Sequence, residues 1–130
     1  MNLRAAIAAG ATVAALCAPA SLAARQANAK PGRLVIIGGG LNANNEAVYR
    51  TILEARVGSG PFCVIPTAGA TPDSAMASPV ANFNRYGGPG TAKGVLISVA
   101  RPETARDPAV VAQLRSCSGF FFVGGVQSRV

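Results

Sequence analysis

The residues best placed to do chemistry stand in Gly119-Phe-Phe-Phe-Val-Gly-Gly-Val-Gln127, close to the end of the 130-residue chain. Gly124 and Gly125 let backbone N–H groups approach a ligand closely, and the Gln127 amide both donates and accepts hydrogen bonds. Two such amides side by side can wall an oxyanion site, although a glycine pair after a strand also makes a plain turn. Nucleophilic catalysis needs a nucleophile and a base as well. The chain contains no histidine, so it cannot assemble a Ser-His-acid triad by itself. Ser98, Ser116 and Ser118 lack a strand–elbow–helix context, and Cys63 and Cys117 lack a base. Glu46, Glu54, Asp73, Glu103 and Asp107 read as capping or surface carboxylates rather than as a catalytic pair. No catalytic residue is therefore expected within these 130 residues.

Two other constellations invite a cofactor reading. Gly38-x-Gly40-x-x-Ala43 fits a loose dinucleotide fingerprint, which would rest a pyrophosphate on a helix N-terminus. Such a unit also needs an acid at the end of the second strand to hold a ribose. That strand ends Val64-Ile-Pro-Thr67, so a tight strand-to-helix turn is the better account. Cys63 and Cys117 match no zinc spacing, and without histidine a metal site is not expected. Neither a cofactor nor a metal is implied.

The elements that must position these residues alternate in type. Residues 33–37 (Arg-Leu-Val-Ile-Ile) form a continuous apolar run, read as a first strand. Asn42, Asn44 and Asn45 offer helix caps, Glu46 suits the positive helix end, and Val48, Ile52, Leu53 and Ala55 make a helical stripe reaching Gly58. Residues 62–65 read as a second buried strand, closed by Pro66. Ser78-Pro79 marks a first helical turn, leaving Val80, Phe83 and Asn84 in a short helix. Residues 94–99 read as strand three. Asp107-Pro108 caps a helix whose buried face is Val110, Val111 and Leu114. The aromatic run at residues 120–123 reads as a fourth strand, buried on both faces of a parallel sheet and delivering the glycines to its carboxyl edge. Four β units alternating with three helices predict an α/β fold with a parallel sheet and right-handed crossovers.

Residues 1–29 have Arg4 near the start, an alanine-rich apolar run, Pro19, and Ala27-Asn28-Ala29 as a small-x-small cleavage signal. This is the build of a secretory signal peptide, with residues 30–130 as the exported α/β domain. A membrane anchor fits less well, because alanine is weakly apolar and Gly10 and Pro19 break the run. Leu16 before Cys17 does not suit lipidation, and a single arginine does not suit twin-arginine export. The expected location is periplasmic or extracellular, with the membrane touched only through the signal peptide. Removing residues 1–29 takes Arg4 and Arg25 from twelve cations, leaving ten against five acids, a net charge of +5. These ten are scattered singly, so no nucleic-acid partner is indicated. In an oxidising compartment Cys63 and Cys117 could pair, but Cys63 lies inside an apolar strand pattern and Cys117 at a helix end, so two buried free thiols are at least as well supported.

Taken in order, several stretches resemble the N-terminal half of the cyanophycinase family. They are the strand with Gly38-Gly-Gly40, the helix ending near Gly58, Val64-Ile-Pro-Thr-Ala68, the strand reaching Val99-Ala-Arg101, and Ser118-Gly-Phe-Phe-Phe-Val-Gly-Gly-x-Gln127. The resemblance covers about residues 33–129 and is specific as an ordered set. It implies a three-layer parallel sheet with flanking helices, class I glutamine-amidotransferase-like or flavodoxin-like, incomplete in this chain. It also implies a serine-type peptidase acting on cyanophycin or related aspartyl peptides. Gly124 and Gly125 would line the oxyanion site and Gln127 would bind substrate. The serine, in a Gly-x-Ser-Ala-Gly elbow, and the histidine base are expected beyond Val130. The family reads Gly-Gly-Asp-Gln where this chain has Val126, and Ala-Ser where it has Ala68-Gly69. A dimer or the C-terminal half would complete the fold. The other readings are a non-catalytic exported module binding a ligand or partner, and a nucleotide-binding α/β protein.

Overall fold

The computed structural model describes residues 32–126 and residue 128. The expected signal peptide, Gln127, Arg129 and Val130 lie outside the described residues. Three parallel strands form the sheet: β1 (Phe62–Ile65), β2 (Ala92–Gly94) and β3 (Gly119–Phe122), in the order β2-β1-β3. The helices are α1 (Glu46–Glu54), α2 (Pro72–Gly87) and α3 (Pro108–Arg115), with a 3₁₀ turn at Pro102–Arg106. The alternating strand–helix order thus yields the expected α/β class.

β1 is central, and its four residues are all buried. Its backbone bonds alternate sides, as a parallel ladder requires. Phe62 N–H donates to Thr91 and Val95 N–H to Val64, while Val123 N–H donates to Ile65. Phe62 and Val64 face Tyr49, Ile52, Leu53 and Phe83, so α1 and α2 cover that face of the sheet. Phe83 is the hub. Its ring centroid lies 5.1 Å from Tyr49, 4.9 Å from Phe62 and 5.2 Å from Phe121. Burying one such side chain contributes roughly 1.5–3 kcal/mol. Cys63 and Ile65 point to the other face. There Cys63 is bonded through a disulfide to Cys117, just after α3.

Several expectations need correction. Residues 33–37 join no ladder among the described residues. Val35 and Ile37 pack on the core, whereas Leu34 and Ile36 are each 84 % exposed. The sheet therefore has three strands among the described residues, not four. α2 starts at Pro72, not near Pro79, and runs sixteen residues with Pro79 inside it. Pro72 takes the first helical position, where a missing N–H costs nothing, after Thr71 as N-cap. Strand three begins two residues early and ends at Gly94 rather than at Val99, because its partner β1 runs into Pro66, which has no N–H for the ladder. The outer edge of β2 is closed by Asn84: its Nδ2 donates to Ala92 O at 3.2 Å, and its Oδ1 accepts from Ala92 N at 2.8 Å. β3 is half-buried, on one face only. Phe121 and Val123 pack against the core, while Phe120 is exposed and Phe122 is 71 % exposed.

Candidate functional site

The carboxyl ends of β1 and β3 deliver two loops to one place. After β1, Pro66 ends the strand and Gly69 N–H closes a turn on Pro66 O at 2.8 Å. After β3, Val123 N–H still donates to Ile65, then the chain passes through Gly124 and Gly125. Val126 N–H donates to Ala68 O at 3.2 Å and joins the two loops. Gly125 lies against Ala68 so closely that any Cβ there would collide with the Ala68 carbonyl. Gly124 is different, since a Cβ at that position would meet nothing within 4 Å.

Among the described residues, neither the Gly124 nor the Gly125 amide has an acceptor. Both residues are exposed, so among the described residues these two donors are without an acceptor at the carboxyl edge of a parallel sheet, where such folds bind ligands. Gln127, the third expected binding residue, lies outside the described residues. Val126, at the position where the resembled family carries an acid, is 50 % exposed. Neither loop contains an ionisable side chain, from Pro66 to Gly69 or from Gly124 to Val126. The arrangement can hold an anion or a polarised carbonyl oxygen but cannot move a proton.

The candidate nucleophiles are occupied elsewhere. Ser118 Oγ donates to Gly60 O at 2.6 Å and Ser116 Oγ to Gln113 O at 2.7 Å. Ser98 Oγ accepts from Ala100 N–H at 3.3 Å within a tight turn closed by Arg101 N–H on Ser98 O. Cys63 and Cys117 are consumed in their disulfide. Among the described residues no three Cys, Asp or Glu side chains gather where a metal could be held.

The fingerprint glycines also have a local explanation. Gly39 and Gly40 take φ values of 103° and 60°, a turn that side chains resist. α1 begins only at Glu46, and Asn45 Oδ1 already accepts from Val48 N–H at 3.4 Å. Glu46 puts a carboxylate on that helix end and binds Arg50 at 2.6 Å. The groove beside these glycines, about 440 Å³, is lined by no charged residue. A pyrophosphate would find no cation lining that groove.

A larger cleft of about 460 Å³ runs along the outer side of β3, reaching Gly124 at one end. Arg33, Leu34, Val35 and Ile37 line it too, together with Tyr49, Ile52 and Phe62. Reasoning from sequence missed this cleft. It follows from residues 33–37 standing off from β3 instead of joining the sheet, which no residue pattern announces. No protein-family model matches the chain, and no solved structure matches its fold.

Proposed function

We propose that this chain is the N-terminal portion of an exported cyanophycinase-like serine-type peptidase, with the class I glutamine-amidotransferase-like arrangement that the resemblance implies. One observation carries the reading. The two stretches that bear the resemblance most clearly, Val64-Ile-Pro-Thr-Ala68 and Phe122-Val-Gly-Gly125, lie on adjacent parallel strands and meet through the Val126–Ala68 bond. In the parent reaction a serine oxygen attacks an aspartyl carbonyl of cyanophycin or a related peptide. An acyl-enzyme forms, the amine leaves with a proton from the histidine, and water then releases the acid. Gly124 and Gly125 hold the developing oxyanion and Gln127 holds the substrate. Serine and histidine come from sequence outside these 130 residues, so the chain binds but does not turn over by itself. The Cys63–Cys117 disulfide supports export, since such bonds persist in oxidising compartments.

The cleft beside β3 favours a second reading, a non-catalytic exported module that binds a ligand or partner. Binding of an aspartyl-arginine dipeptide separates the two. In amide NMR spectra of the disulfide-bonded chain, the peptidase reading expects the Gly124 and Gly125 resonances to move, saturably. Movement confined to the cleft walls would favour the module. The nucleotide reading is the weakest of the three, since no cation lines the groove beside Gly39 and Gly40.

A further inference from the structure

β3 has one open edge. β1 pairs with β2 on one side and β3 on the other, and Asn84 closes the far side of β2. Among the described residues nothing pairs with the far side of β3. Ladder alternation identifies the groups left over. Val123 donates to Ile65, so Phe121 also turns its N–H and C=O toward β1, while Phe120 and Phe122 turn theirs outward. These backbone groups face the cleft of about 460 Å³. Arg33, Leu34, Val35 and Ile37 line it as well, in a segment that is apolar after Arg33 and likewise without a ladder partner among the described residues. A four-residue strand fills about 13 Å of length, about 4.8 Å of width and about 10 Å of sheet thickness, on the order of 600 Å³. By the same measure about three residues of a strand fill the cleft, and it is lined both by β3 and by the 33–37 segment, which joins no ladder among the described residues.

We propose that this slot receives an extended apolar segment of a separate polypeptide, which adds to β3 as a fourth strand and is flanked on its other edge by residues 33–37. An occupant of this slot must have both of its own edges free. A second copy of this chain could offer β3 only with a sheet attached to its other side, and that would not fit between two walls. The charges define the occupant further. The ionisable lining residues apart from Tyr49 are Arg33 and Arg56, both cationic. Arg56 is held near the start of β3, because the next residue, Val57, donates its N–H to Ser118 O at 2.9 Å. The entering segment accordingly carries a carboxylate at the end that lies beside Arg56.

Amide hydrogen exchange on the full disulfide-bonded chain tests this, with acetyl-Asp-Val-Ile-Val-Ala-amide as the probe. In the free chain Phe120 and Phe122 amides exchange faster than those of Phe121 and Val123. The probe slows Phe120 and Phe122 by about tenfold or more, the scale of one added backbone hydrogen bond, and leaves Phe121 unchanged. An alternately N-methylated probe, with the same side chains and fewer donors, gives no protection. Arg56→Glu weakens the aspartate-headed probe and strengthens a lysine-headed one. Phe122→Pro removes an outward N–H without breaking a β1–β3 bond and abolishes the effect at Phe120; if it does not fold, the N-methylated probe decides. Protection of Phe120 and Phe122 in the free chain, whether dependent on concentration or not, would overturn the proposal. So would equal protection by both probes, which would mean adhesion to exposed phenylalanine alone.

Discussion

Gly125 packs its α-carbon against the carbonyl of Ala68, and the next amide, Val126 N–H, donates to that same carbonyl at 3.2 Å. This contact fixes the spacing between the loop after β1 and the loop after β3. It divides the glycine pair into two different jobs: Gly125 is needed for close backbone approach, and Gly124 leaves an open amide. Gly125→Ala should destabilise the chain by about 1–3 kcal/mol through overpacking. Gly124→Ala should stay within about 0.5 kcal/mol of the parent. Denaturant unfolding of both variants checks the difference. Equal effects would mean that the loops do not meet as described.

The disulfide joins Cys63 in the central strand to Cys117, 54 residues later. Closing a loop of that length stabilises a chain by about 4 kcal/mol in the entropic model, with measured values commonly about 2–4 kcal/mol. Cys63→Ala with Cys117→Ala should therefore lower Tm markedly, and reductant should do the same to the parent. Thiol titration of the denatured, unreduced chain should show that neither Cys63 nor Cys117 reacts. Reaction of both would contradict the pairing.

Asn84 holds Ala92 by two hydrogen bonds, standing in for a strand at the outer edge of β2. Asn84→Ala leaves a partly buried donor and acceptor without partners, at a cost of about 1–3 kcal/mol. Amide exchange at Ala92 should accelerate in that variant, while exchange at Phe121, two strands away, should track global stability alone. Unchanged exchange at Ala92 would show that the clamp does not form.

What could be read from the sequence followed the strength of local signals. Phe62-Cys-Val-Ile65 announced itself as a buried strand because four apolar residues end at a proline. Asp107-Pro108 announced α3, and Asp107 Oδ1 does accept from Ala109 N–H at 2.8 Å. Asn45 capping α1 was equally legible. Pro79 misled, because a proline reads as a helix start, yet α2 carries it in the interior and begins at the other proline, Pro72. Tyr49 was overlooked in the α1 stripe, although its spacing to Ile52 and Leu53 fits; its ring stacks on Tyr86 at 5.2 Å. Residues 33–37 look like a strand by composition, but pairing is a tertiary matter and no local pattern decides it. At the candidate site the sequence pointed to Gly124 and Gly125, and not to Ala68, whose contribution is a main-chain carbonyl that any residue could supply.

We propose that this chain provides an oxyanion wall and a binding edge, while nucleophile and base come from elsewhere. The direct measurement is hydrolysis of cyanophycin by the purified chain, alone and mixed with a polypeptide that carries a Gly-x-Ser-Ala-Gly elbow and a histidine. The chain alone should show no turnover. A folded mixture should hydrolyse the polymer, and Gly124→Pro, which deletes an oxyanion donor, should reduce its kcat by about 10²–10³-fold. Turnover by the chain alone, or a folded one-to-one complex that leaves cyanophycin and aspartyl dipeptides intact, would contradict the account.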